Sequence, residues 1–209
     1  ISNGNVKAAV SSYKMALQLN PNYPEAHNNR GNALREQGDL DTAISSYDTA
    51  LRLKPNYPEA RHNLGVSYAE QGDLNAAITC YKAALRLKPN YPEAHNNLGI
   101  ALKEQGFLDA AITSYKTALK LRPNYPEAHN NLGIAFKKQG NLDDAVTSYN
   151  HALQLKTNYQ EAHNNLGNAF KEQGDLDAAI ACYKTALQIK PNHPDTHNNL
   201  ALTFHKQGH

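Results

Sequence analysis

Six asparagines, Asn29, Asn63, Asn97, Asn131, Asn165 and Asn199, recur every 34 residues along a chain of 209. A primary amide offers two donors and an acceptor oxygen. That set matches the one N–H and one C=O that each residue of an extended peptide presents. Carried on successive helices about 10 Å apart, such a row would meet an extended chain about every third residue. The alternative is that these amides bond a neighbouring helix or water. One helical turn further along come Asn32, Val66, Ile100, Ile134, Asn168 and Leu202. Val66, Ile100 and Ile134 would form an apolar strip beside the amides, as expected of a peptide groove, or else ordinary packing between repeats. Arg35, Lys103, Lys137 and Lys171 line the far end of the same segments and would draw an acidic ligand, with Glu36, Glu104 and Glu172 opposing that field. A companion column, Asn28, Asn96, Asn130, Asn164 and Asn198 with His62 as its exception, is expected to border the groove or to form a solvated face.

Other residue types point away from chemistry. Five of the ten histidines, His27, His95, His129, His163 and His197, are one repeat column. A zinc site gathers about four ligands around one point, so these histidines read as packing residues, and no metal site is expected. No Ser-His-Asp arrangement can be built from residues that each recur at a fixed interval; the expectation is a non-enzyme without a cofactor. Glu25, Glu59, Glu93, Glu127, Glu161 and Asp195 open helical segments, where a carboxylate complements the helix dipole. Cys80 and Cys182 stand three repeats apart, beyond the reach of a disulfide, which needs Cα atoms within about 7 Å. Free thiols fit a reducing compartment and suggest the cytoplasm.

The elements that must hold these residues follow from proline, glycine and periodicity. A 34-residue period is that of a helix-turn-helix solenoid. All ten prolines fall in two columns, Pro21, Pro55, Pro89, Pro123 and Pro191 stopping one helix, and Pro24, Pro58, Pro92, Pro126 and Pro194 opening the next. All twelve glycines fall in two more. The Gly38 column ends helices in the left-handed region. Gly31, Gly65, Gly99, Gly133 and Gly167 lie inside helices, where each costs about 1 kcal/mol against Ala and implies a second helix too close for a side chain. Each repeat is therefore an antiparallel pair, helix A then helix B, with Tyr115 and its equivalents filling the gap between small residues such as Ala111 and Ala118. Residues 1–23 supply only a B helix; full repeats span 24–57, 58–91, 92–125, 126–159 and 160–193; residues 194–209 supply only an A helix. That makes twelve helices in one all-α solenoid. Both ends look cut, so the chain reads as a piece of something longer. The net charge of +2 is too small to argue for nucleic acid, and no apolar stretch is long enough to cross a membrane.

Small residues in the Gly99, Ala111 and Ala118 columns, the aromatic Tyr115 and the Pro123 stop together resemble the tetratricopeptide repeat over essentially the whole chain. His27, Arg61, His95, His129, His163 and His197 stand where that family often has Trp. The run Ala-x-Asn-Asn-Leu-Gly is most similar to the tetratricopeptide superhelix of O-linked N-acetylglucosamine transferases. The resemblance implies a right-handed superhelix whose A helices line a concave groove for peptides, with an asparagine ladder on the six residues of the Asn97 column. One subclass clamps chaperone carboxylates with Lys and Arg, but Glu93 and Asn96 occupy the matching places here, which disfavours that ligand. The expected function is a protein-interaction scaffold. Its alternatives are the substrate-recruiting arm of a larger enzyme such as a glycosyltransferase, and a scaffold that self-associates head to tail through its incomplete ends. Four departures stand outside the repeat: Arg30 in a leucine column, Thr157 and Gln160 for both prolines of one junction, and Phe107 where other repeats have Asp or Asn.

Overall fold

A computed structural model describes residues 3–208, which form twelve α-helices and no strand. They are α1 (Asn3–Leu19), α2 (Pro24–Glu36), α3 (Leu40–Leu53), α4 (Pro58–Glu70), α5 (Leu74–Leu87), α6 (Pro92–Glu104), α7 (Leu108–Leu121), α8 (Pro126–Lys138), α9 (Leu142–Leu155), α10 (Gln160–Gln173), α11 (Leu176–Ile189) and α12 (Pro194–Gln207). Two compact units divide the chain, Ile1–Gln105 and Gly106–His209. Each has the same plan: a B helix, two A–B pairs, and an A helix.

Two kinds of glycine build each pair, for opposite reasons. Gly38, Gly72, Gly106, Gly140, Gly174 and Gly208 adopt φ between 83° and 92°, and a Cβ there would touch nothing within 4 Å. Backbone conformation selects glycine at these turns. The Asp39 N–H then closes on the Leu34 carbonyl at 3.0 Å, and Asp39 in turn caps α3 by accepting from the Thr42 N–H. Gly31, Gly65, Gly133 and Gly167 have ordinary helical φ, but a Cβ would lie 2.6–2.8 Å from the ring of Tyr47, Tyr81, Tyr149 or Tyr183. Here space selects glycine.

The B helices supply the other half of that contact. Ala43, Tyr47 and Ala50 are completely buried, as are Ala145, Tyr149 and Ala152, and Ala179, Tyr183 and Ala186. This spacing puts a small residue one turn to either side of the ring on one helical face.

Polar columns tie the frame. The Nε2 atoms of His27, His95, His129, His163 and His197 lie 2.8–3.0 Å from the carbonyl six residues earlier, and Arg61 reaches Pro55 O at 3.0 Å. A carbonyl only accepts, so each of these rings carries its proton on Nε2. Gln71, Gln105, Gln139, Gln173 and Gln207 donate at 2.6–2.7 Å to Asp41, Asn75, Asp109, Asp143 and Asp177 in the first turn of the preceding repeat's B helix. Glu25 and Glu59 meet Lys54 and Lys88 at 2.7 and 2.8 Å, and those ammonium groups lie over the Tyr57 and Tyr91 rings. Such exposed pairs contribute little to stability, because water and salt screen them.

Gly133→Ala tests the close packing. The added methyl gains about 1 kcal/mol of helix propensity but collides with a ring that is fully buried, and overpacking costs about 1–3 kcal/mol. Urea unfolding should show a net loss, whereas a fully propensity-driven helix would be stabilised.

Candidate functional site

The A helices of the first unit, α2, α4 and α6, carry Asn29, Asn63 and Asn97. These amides join their companions in one hydrogen-bond chain. Asn96 Nδ2 donates to Asn97 Oδ1 at 3.3 Å, Asn97 Nδ2 to His62 Nε2 at 3.0 Å, and His62 Nδ1 to Asn63 Oδ1 at 3.3 Å. Asn63 Nδ2 then donates to Asn28 Oδ1 at 3.0 Å, and Asn28 Nδ2 to Asn29 Oδ1 at 3.3 Å. All five bonds run in one direction. In the second unit Asn165 donates to Asn130 at 3.1 Å and Asn199 to Asn164 at 3.2 Å, along α8, α10 and α12.

This geometry corrects the expectation for the companion column. Asn28, Asn96 and Asn130 are 4–5% exposed and His62 is 9% exposed, so these four side chains are interior rungs and neither border a groove nor form a solvated face. Asn164 is half-buried, whereas Asn198, on the last helix, is exposed as expected of a solvated face. Where two helices pass closely, a polar side chain must spend its groups on the neighbour. The Asn97 column itself lies further out: Asn29 is exposed, and Asn63, Asn97, Asn131, Asn165 and Asn199 are half-buried. One donor per amide serves the rung in Asn63, Asn165 and Asn199, and an amide has a second N–H and further acceptor capacity.

The next column controls the tyrosine hydroxyls. Tyr47 donates to Asn32 Oδ1 and Tyr183 to Asn168 Oδ1, both at 2.8 Å. Val66 and Ile134 offer no acceptor, and the Tyr149 hydroxyl is buried without a partner among the described residues. Val66 and Ile100, both half-buried, line a cleft of about 300 Å³ in the first unit with Ala69, Glu70, Leu74, Tyr81, Asn97, Ala101 and Glu104. Ile134 is half-buried on α8 of the second unit. Of the lysines, Lys103 pairs with Glu104 at 3.0 Å and Lys137 with Glu172 at 2.7 Å. Lys171 is half-buried with no carboxylate partner among the described residues, because the next repeat carries Lys206 in the place of Glu172.

The cleft includes residues that motif reading passes over. Ala69 interrupts the Arg35–Lys103–Lys137–Lys171 column, and that gap is the sequence signal. Small side chains at Val66 and Ala69 remove what Asn32 and Arg35 supply one repeat earlier. Elsewhere, Phe107 is 58% exposed and Gln160 is buried, donating to Thr196 at 3.2 Å, which donates to Asn164 at 3.0 Å. Arg30 is half-buried, and its Nε finds no partner among the described residues. Cys80 and Cys182 are free, and burial pushes both thiols up to about 11. Among the described residues no group of three or more His, Cys, Asp or Glu could hold a metal ion, and no helix is long and apolar enough to cross a membrane.

The helix pairs, the Gly–Tyr contact and the 34-residue register define a repeat protein of the helical solenoid class. The sequence matches the TPR repeat in six successive stretches, residues 1–34, 31–72, 67–106, 101–140, 135–174 and 167–208, and the protein belongs to the tetratricopeptide repeat family. Proteins of this family mediate protein–protein interactions. Comparison with curated proteins gave no match. Among solved structures, the fold is similar to that of the APC/C hetero-tetramer Cut9-Hcn1, with a TM-score of 0.84 and 23% identity over 96% of this chain. The chain spans only 40% of that one. MamA is 30% identical over 77% of this chain and 94% of its own, with a TM-score of 0.71. YrrB, a TPR protein with an unusual peptide-binding site, has a TM-score of 0.73 and 22% identity over 96% of this chain and all of its own.

His62 shows why the amide chain tolerates one exception. A neutral imidazole with its proton on Nδ1 has one donor and one acceptor, the two functions that Asn28 uses. Protonation would set an Nε2–H against the Asn97 amide N–H. Burial, with the Tyr81 and Tyr91 rings 5.7 and 5.0 Å away, pushes the His62 pKa below its ordinary value; Glu59 and Glu93 act the other way and Arg35 acts with burial. Below about pH 6.5 the unfolded chain therefore takes up a proton that the folded chain resists, and stability falls with pH until the folded pKa is passed. His62→Asn should lose less stability than the parent between pH 7.5 and 5, measured by urea unfolding at each pH.

Proposed function

We propose that the A-helix faces of this protein's two units hold extended peptide segments of partner proteins, with amides of the Asn97 column bonding the ligand backbone and Val66, Ile100 and Ile134 receiving apolar side chains. The observation that carries this reading is the pairing of half-exposed amides with spare hydrogen-bond capacity and an adjoining apolar cleft, both on α4 and α6. Backbone bonds of this kind supply affinity without sequence preference, and pockets between them supply selection. The ion pairs at Lys103 and Lys137 reduce the part that charge plays, leaving Lys171 as the lysine of that column open to an acidic group. Likeness to YrrB, described as having an unusual peptide-binding site, agrees with a peptide ligand but shares only the fold at 22% identity.

The test is selection from a random peptide display library, followed by affinity measurement on Asn97→Ala/Asn131→Ala/Asn165→Ala. Helicity by circular dichroism guards against misfolding, because losing a rung leaves a buried companion unsatisfied at a cost of about 1–3 kcal/mol. Each unit loses one or two ligand bonds at about 0.5–1.5 kcal/mol apiece, which predicts a loss of about threefold to tenfold or more in affinity. Unchanged binding by a folded triple variant would sink the proposal.

A further inference from the structure

We infer that the cleft between α4 and α6 is a pocket for a tyrosine side chain of the bound peptide, a reading that rests on the peptide-binding face proposed above. Tyr81 is 2% exposed yet lines the cleft, and its hydroxyl makes no hydrogen bond to any described residue. In two other repeats the same hydroxyl is taken by an asparagine at 2.8 Å, Asn32 or Asn168. Val66 stands in that place here, and Ala69 stands where Arg35 or a lysine stands in other repeats. Both substitutions remove side chain from one spot, and together they open the space. Unlike the Tyr149 hydroxyl, that of Tyr81 is not sealed from solvent, so a ligand acceptor entering the cleft can take the place of water on it.

The lining sets the chemistry of that ligand. Val66, Ala69, Leu74, Ile100 and Ala101 make the walls apolar, which suits an aromatic ring better than an amide or a charged chain. The volume of about 300 Å³ is enough for a phenol ring. At the tip, the ligand oxygen accepts from the Tyr81 hydroxyl and donates to the Glu70 carboxylate at the rim. Glu70 already receives Arg35 Nη1 at 2.8 Å, but a carboxylate has about four acceptor sites. A basic side chain would find Glu70 engaged by that guanidinium, while a phosphorylated tyrosine would bring its charge against Glu70 and Glu104. Phenylalanine would fill the walls and leave Tyr81 unpaired.

Methyl-resolved NMR of Val66, Leu74 and Ile100 in the full chain tests this with N-acetyl-tyrosine amide, N-acetyl-phenylalanine amide and N-acetyl-phosphotyrosine amide as probes. The tyrosine amide should give saturable shifts and bind about five- to a hundredfold more tightly than the phenylalanine amide, the range expected of two hydrogen bonds. Tyr81→Phe should narrow that preference by about three- to tenfold, the share of one hydrogen bond. Val66→Asn, which installs the acceptor found at Asn32 and Asn168, should abolish binding while keeping the fold, and Ala69→Lys should do the same by filling the space. Equal binding of the phenylalanine amide by the parent, equal binding of the phosphotyrosine amide, indifference to Val66→Asn, or no saturable shift would each overturn the inference. Library-selected peptides that need the asparagines but carry no tyrosine would overturn the pocket and leave the peptide-binding face standing. Tyrosine-amide binding beside indifference to the triple asparagine variant would do the reverse.

Discussion

The contact of a B-helix tyrosine with an A-helix glycine is the constraint from which the rest of each repeat follows. With the Tyr47 ring lying where a Gly31 side chain would be, the two helices have a fixed separation and a fixed register. Alanines one turn either side of the ring follow, because nothing larger fits a surface that is completely buried. The ring also aims its hydroxyl at the next A-helix position. Asn32 there makes a closed internal bond, while Val66 leaves the hydroxyl of Tyr81 facing the cleft. One packing decision thus sets both the architecture and which repeats have polar atoms to offer.

The amide chain across α2, α4 and α6 depends on that frame and adds direction to it. Its members are linked donor to acceptor in one sense, and bonds in such a series polarise one another. Turning one amide over would set donor against donor at the next rung. His62 enters only as the neutral tautomer that preserves the sense, so a residue that looks like an interruption continues the series with different chemistry. The charged columns behave in a looser way. Lys103 turns to Glu104 on its own helix, whereas Arg35 and Lys137 reach a glutamate of the following repeat.

Much of this is legible in the residue types and their spacing. Proline at Pro92 and glycine at Gly106 report steric rules that hold in any context, and the interior Gly65 reports a missing side chain, so the helix-pair architecture follows from residue type and spacing. Asn96 and Asn97 show the limit. Adjacent, identical and polar, they look interchangeable, yet one is an interior rung and the other reaches the surface; only the position of the neighbouring helix separates them. The cleft is harder still to read, because it is made by what Val66 and Ala69 lack. An absent side chain has no motif, and its trace is a break in a basic column at Ala69. His62 was visible as a break too, but its function required knowing that Asn63 and Asn97 lie on either side.

The reach of the bonds that join the repeats has a consequence for how the chain assembles. The amide rungs link residues 35 apart, the glutamine rungs 30 apart, and the bond from Gln160 to Thr196 spans 36. Wiring of this length lets structure begin at any helix pair and spread to its neighbours, without the entropic cost of first closing a long loop. It also makes the number of repeats a free quantity. Inserting or removing one whole 34-residue module preserves the sequence separation of the rungs on either side, so the length of the solenoid can change in evolution while its local rules stay fixed.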